Sequence, residues 1–174
     1  MFVGSLLVAT SHAQWTVTNL HPAGANRSVA YGASGVNQVG RAAVGGFNRA
    51  SLWSGTAASW VNLHPGGATY SIAHSALGAF QVGRADVGGI FRASLWSGTA
   101  ASWVDLHAFV PSSFSSSSAT GITTDGINYY ISGYGFNSST GRNEALLWTQ
   151  PVPEPGPLVA LAMGAVVLLR QRKR

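Results

Sequence analysis

A chain of 174 residues, 46% hydrophobic and 9% charged, can bury one core; its length excludes two large ones, and its lack of cysteine excludes a disulfide framework. Four of the ten cations crowd into the last five positions, as Arg170, Arg172, Lys173 and Arg174. The body from Trp15 to Gln150 keeps six Arg, no Lys and four acids, a balance of about +2 that is too weak and too dispersed for a nucleic-acid footprint.

Residues 2–9 form a short apolar run, followed by Thr10, Ser11, His12 and Ala13. Ser11-His12-Ala13 approximates a small-x-small cleavage site, with Gln14 as the mature start. The basic segment that should precede the run is missing. Two readings account for this: a start codon assigned too far downstream, or a first strand that happens to be apolar. The cleavage pattern favours the former, so residues 1–13 are expected to be a truncated signal peptide.

From Trp15 onward the chain is periodic. Residues 38–64 recur as 81–107, offset by 43, with 23 of 27 positions identical. The exceptions are Ala43 to Asp86, Phe47 to Ile90, Asn48 to Phe91 and Asn62 to Asp105. Such a period marks stacked structural units. The 22 glycines, six tryptophans and abundant Ser, Thr and Val predict short strands joined by tight turns. Residues 17–21 match 60–64 and 103–107 in position, so the body is expected to open with the last strand of a unit.

Each unit then predicts four strands. The first covers residues 28–30, 71–73 and, loosely, 119–121. The second follows a turn at Gly35, Gly78 or Asp125-Gly126, and covers 38–44, 81–87 and 129–134. Gly45-Gly46 or Gly88-Gly89 reverses the chain into the third, at 49–53, 92–96 and 144–148. The fourth, after Ser54-Gly55-Thr56, covers 60–64. Within residues 49–53, Ala50 and Leu52 take one face and Ser51 and Trp53 the other. Large residues on both faces suit a sheet sandwiched between sheets. In the third unit, residues 109–118 are a Pro- and Ser-containing insertion, and 135–141 lengthen the second hairpin.

The body, residues 14–150, ends where Pro151, Pro153, Pro155 and Pro157 break secondary structure. Residues 158–169 are apolar and uncharged, long enough for about 18 Å of helix. That is short of a ~30 Å hydrocarbon core, a deficit met in part by arginine snorkelling and local thinning. A single transmembrane helix is the expectation, with Arg170, Arg172, Lys173 and Arg174 as its cytoplasmic stop.

Residues 151–174 resemble the PEP-CTERM sorting signal: Val152-Pro153-Glu154-Pro155, a short apolar helix and a basic tail. The resemblance implies export across the inner membrane of a Gram-negative cell. It further implies cleavage near the Pro-Glu-Pro by an exosortase, and delivery to the cell surface or an exopolysaccharide matrix. Val152, Pro153, Glu154 and Pro155 are then the processing motif. The body is similar to HAF-type extracellular repeats, through Ala-x-Leu-Trp at 50–53, 93–96 and 145–148 and Trp-Val-Asx-Leu at 60–63 and 103–106. That similarity implies β-propeller-like blades. Three units fall short of the roughly four to eight of a closed ring. A remnant, pairing with another copy and an open array all remain as readings.

Candidate chemistry is sparse. His21, His64 and His107 recur at 43-residue intervals and invite a metal site, yet each ends a predicted strand and was copied with its unit. Asp105 lies near His107, but no serine stands in a nucleophile elbow. Only Asp125 and Glu144 offer carboxylates in one unit for glycoside hydrolysis. Arg41 and Arg84, with Arg49 and Arg92, form a repeated set that the Gly45-Gly46 hairpin is expected to bring together. Its two readings are a contact for acidic polysaccharide and a solvated strand face covering an aromatic. The expectation is an exported structural or adhesive repeat protein with no catalytic residues, metal or cofactor. The alternative is a polysaccharide-binding lectin or a propeller-like glycan-active enzyme.

Overall fold

The computed structural model describes residues 14–153. These residues form three antiparallel sheets, none of them closed, each made of strands consecutive in sequence. The first sheet runs β1 (Arg27–Ser34), β2 (Asn37–Val44), β3 (Phe47–Trp53) and β4 (Val61–Asn62). The second repeats it as β5 (Ala68–Leu77), β6 (Phe80–Val87), β7 (Ile90–Trp96) and β8 (Val104–Asp105). The third holds β9 (Phe114–Thr124), β10 (Asn128–Asn137) and β11 (Arg142–Pro151).

The four-strand unit thus holds for two sheets and needs correction in the third, which has three strands. No Trp-Val-Asx-Leu segment follows Gln150, and alternate prolines there cannot donate to a ladder. The expected opening strand at residues 17–21 also needs correction: it is in no sheet. Its sequence suits a strand, but among the described residues no third strand lies beside it to share hydrogen bonds. The apolar segment 158–169 lies outside the described residues. Among those described, no helix is long and apolar enough to cross a membrane.

Local chemistry explains the turns. Gly45 and Gly46 have φ of +61° and +83°, the paired positive values that a two-residue hairpin with right-handed twist demands. The turn after β3 closes through a short 3-10 helix, Ala57–Ser59. Thr56 Oγ1 accepts from the Ser59 N–H at 3.2 Å, and the Ser59 hydroxyl donates to Thr56 O at 2.7 Å. Thr99 and Ser102 repeat both bonds. Gln38 Oε1 accepts from the Gly55 N–H at 2.9 Å, and Gln81 does the same for Gly98 at 2.8 Å. These bonds anchor the turn to the second strand of its own sheet.

The first strand of each sheet carries a bulge, between Ala30 and Gly32 in β1 and between Ala73 and Ser75 in β5. Gly40 and Gly83 sit opposite, where a Cβ would overlap the carbonyl oxygens of Val29 and Ile72. Glycine is required there by close approach of two backbones.

Sheets stack face on face. β5 lies across β1, β2 and β3, and β9 lies across β5, β6 and β7. Between the first two sheets, Val39, Ala50, Leu52 and Leu63 meet Ala73, Ala76 and Trp96. Between the second and third, Val82, Ala93 and Leu106 meet Ala119 and Ile131, with Trp148 half-buried. Trp96 of the second sheet and Trp148 of the third therefore reach back to the preceding sheet. Each buried Val or Leu contributes about 1.5–3 kcal/mol. The second tryptophan of a unit is tied within its own sheet: Trp60 Nε1–H donates to Ser51 Oγ and Trp103 Nε1–H to Ser94 Oγ, both at 2.9 Å.

Candidate functional site

The repeated histidines do not converge; each sits in its own joint between units. His64 follows β4, where the Asn62 side chain accepts its N–H at 3.0 Å. Its Nε2 lies 2.9 Å from Ala68 O, which can only accept, so Nε2 carries the proton. Nδ1 then accepts from the Ser71 hydroxyl at 2.7 Å. The same Ser71 Oγ accepts the buried Ala50 N–H at 2.8 Å. Ser71 belongs to the second sheet and Ala50 to the first, so one hydroxyl couples two sheets. It replaces the strand partner that Ala50 loses where β4 ends.

The next joint copies the first. Ser117 Oγ accepts the Ala93 N–H at 3.0 Å and meets His107 Nδ1 at 2.8 Å. His–Ser spacing grows from seven residues to ten there, so the insertion bulges out without breaking the joint. His21 makes the same hooks, with Nδ1 2.9 Å from Ser28 Oγ and Nε2 2.9 Å from Ala25 O. Among the described residues no group of three His, Cys, Asp or Glu is placed to hold a metal ion. A fourth histidine, His74 of β5, sets Nδ1 2.9 Å from Ala119 O of the third sheet. Burial pushes the pKa of His64, His74 and His107 down, helped by Arg49, Arg84 and Arg92 respectively. Neutral rings fit the acceptor role of Nδ1 in the joint.

The arginine set is divided by the sheet. Arg41 pairs with Ala50 and Arg49 with Ala42, so the two side chains leave on opposite faces; the expectation that the hairpin brings them together is corrected. Arg41 Nη1 donates to Tyr70 Oη of the second unit at 2.9 Å. Arg84 lies 4.4 Å from the Phe91 ring centroid and 5.9 Å from that of Tyr70. Arg49 Nε donates to Val44 O at 3.1 Å. Arg92 bonds Asp105 Oδ2 at 2.7 Å, an ion pair the first unit lacks because Asn62 stands there. All four guanidiniums are engaged with the scaffold.

The two candidate carboxylates lie at opposite ends of the third sheet. Asp125 is in the turn before β10, and Glu144 pairs with Gly135 near its far end. Strand geometry separates them by roughly 25 Å at ~3.4 Å per residue. Glycoside hydrolysis needs about 5–9.5 Å. Backbone N–H donors from Asn128 and Ile127 hold Asp125 low, and Asn137 and Thr140 hold Glu144 low. A general acid needs the opposite shift.

One apolar cleft, about 690 Å³, opens between the second and third sheets. Phe80, Leu95, Leu106, Tyr129 and Trp148 line it, with Thr149 and Gln150 at hand. Phe80 and Tyr129 pack edge to face at 5.0 Å, and Trp148 Nε1–H donates to Leu106 O at 3.0 Å. Of the processing motif, the Val152 N–H donates to Ile127 O at 2.8 Å and Pro153 is exposed. Glu154, Pro155, Arg170, Arg172, Lys173 and Arg174 lie outside the described residues.

Sequence reasoning overlooked Ser71, Ser117 and His74. The signal for the first was present: His21–Ser28 and His64–Ser71 share one spacing. No protein-family model, curated protein or solved structure matches this chain.

Proposed function

We propose that this chain is an exported repeat protein of the bacterial surface or extracellular matrix, with a structural or adhesive role. An exosortase processes it at Val152, Pro153, Glu154 and Pro155 after transient anchoring in the inner membrane by residues 158–174. The observation that carries the reading is how the repeated polar side chains are used. His64, Ser71, His107, Ser117, Arg41 and Arg92 each bind another part of the scaffold, which leaves none of them poised for catalysis. The exposed Pro153, directly after the last ladder bond, supports protease access to the motif.

Expression of the full chain in a Gram-negative host with and without an exosortase tests this. The expected result is exosortase-dependent loss of the basic tail and appearance of the body outside the cell, with Glu154→Ala blocking both. An intact tail on a freely soluble cytosolic product would overturn the reading.

The aromatic cleft favours a second reading, a lectin for extracellular polysaccharide, since sugar faces stack on aromatic rings. Retention of the protein on immobilised polysaccharide, lost on Tyr129→Ala, is its expected signature. No retention on any polysaccharide would remove it.

A further inference from the structure

The two ends of the described chain carry complementary halves of one joint. In the complete joint, β4 pairs with β3 through Ser51–Asn62 and Leu52–Val61. Leu63 N–H donates to Ala50 O at 2.8 Å, while Ala50 N–H donates to Ser71 of the following unit. The second joint repeats the pairing as Ser94–Asp105 and Leu95–Val104.

Residues 17–21 hold the downstream half. Asn19 Oδ1 accepts the His21 N–H at 2.9 Å, as Asn62 and Asp105 do for His64 and His107. His21 grips Ser28 and Ala25 as His64 grips Ser71 and Ala68. The hook is formed, yet among the described residues no strand pairs with residues 17–19, Val17 is 97% exposed, and Ser28 Oγ receives no alanine N–H.

β11 holds the upstream half. Gly133 meets Ser118 O as Gly40 meets Val29 O, which fixes the correspondence between sheets. In that register Ala145 and Leu147 stand where the first sheet has Ala50 and Leu52. β11 pairs with β10 alone, leaving its outer edge bare among the described residues. Leu147 is 65% exposed where Leu52 is 8% exposed, and Tyr134 and Phe136 share its open face. Such an edge and face are a template for strand addition.

We propose that two copies of this chain assemble head to tail, residues 17–21 of each adding a fourth strand to β11 of the other. Within one described chain the halves do not meet: the second sheet packs between the first and third, and residues 17–21 join no sheet. The added strand runs antiparallel to β11, placing Thr18 opposite Leu147 and Asn19 opposite Leu146. Ser28 of one copy then receives the Ala145 N–H of its partner, and Leu147, Tyr134 and Phe136 are covered. Two copies bring twice the three sheets, within the roughly four to eight of a closed propeller. A heterologous contact of this kind ends growth when the rotation closes.

The chain has no native cysteine, so introduced thiols are unambiguous. Full-length Thr18→Cys and Leu147→Cys chains are purified separately, mixed and oxidised. Facing residues in such a pair lie within disulfide reach. A covalent heterodimer is expected, with none from Val36→Cys mixed with Leu147→Cys, since Val36 lies in the β1–β2 turn. Light scattering of the unsubstituted chain, corrected for detergent, is expected to give twice the single-chain mass. A single-chain mass, an open ladder of larger species, no cross-link, or equal cross-linking by the Val36 control would each overturn the proposal.

Discussion

At the residue scale, the smallest groups matter most where they join sheets. Ser71→Ala leaves the Ala50 N–H buried with no acceptor and His64 Nδ1 with no donor. An orphaned buried donor costs about 1–3 kcal/mol, so the expected loss is of that size in urea unfolding. Ser117→Ala should behave alike at the second joint. The three histidines with depressed pKa set the pH response. Their neutral form is favoured in the folded protein, so the unfolded chain binds more protons. Stability is therefore fully present above about pH 6.5, the unfolded histidine value, and falls as pH drops through the folded values. Thermal unfolding at pH 7.5 and pH 5 checks this; an equal midpoint would contradict it. His64→Gln, which keeps a donor and an acceptor, should flatten part of that slope.

At the element scale, the bulge and the glycine facing it act as one device. Gly83→Ala drives a methyl into Ile72 O, which is backbone and cannot swing aside. The expected loss is on the order of 3 kcal/mol or more, far above the propensity gain of alanine over glycine in an ordinary strand. Calorimetry of the purified variant reads it directly, and Gly66→Ala is the control, with open space and an ordinary φ. The arginines illustrate a second point about elements. Period-two alternation separates Arg41 from Arg49 although the hairpin brings their strands together. Arg41→Ala should accordingly lower stability through its bond to Tyr70, with Tyr70→Phe reproducing most of the effect.

At the scale of the whole molecule, stability comes from repetition: one interface made twice, with an open face beyond it. The second sheet buries both faces, as its alternating large residues foretell. Among the described residues the third has a neighbour on one side only, so equivalent leucines have unequal worth. Leu52→Ala should cost about 2–5 kcal/mol, as for a core truncation. Leu147→Ala, measured in protein dilute enough to be single-chain, should cost well under 1 kcal/mol. Equal losses at the two positions would mean that the outer face of the third sheet is already covered.

Sequence by itself determined what depends on near neighbours. The 43-residue period, the alternation in β3, the paired glycines at 45–46 and 88–89 and the all-β character are all local consequences of residue order. Tertiary structure alone decided which groups would meet. Arg41 finds Tyr70 29 residues on, Ala50 finds Ser71 after 21, and His74 finds Ala119 after 45. It also decided that residues 17–21, whose sequence nearly matches two real strands, would not be one within a single chain. A strand exists only through hydrogen bonds to a partner, and no pattern within a segment says whether that partner is there.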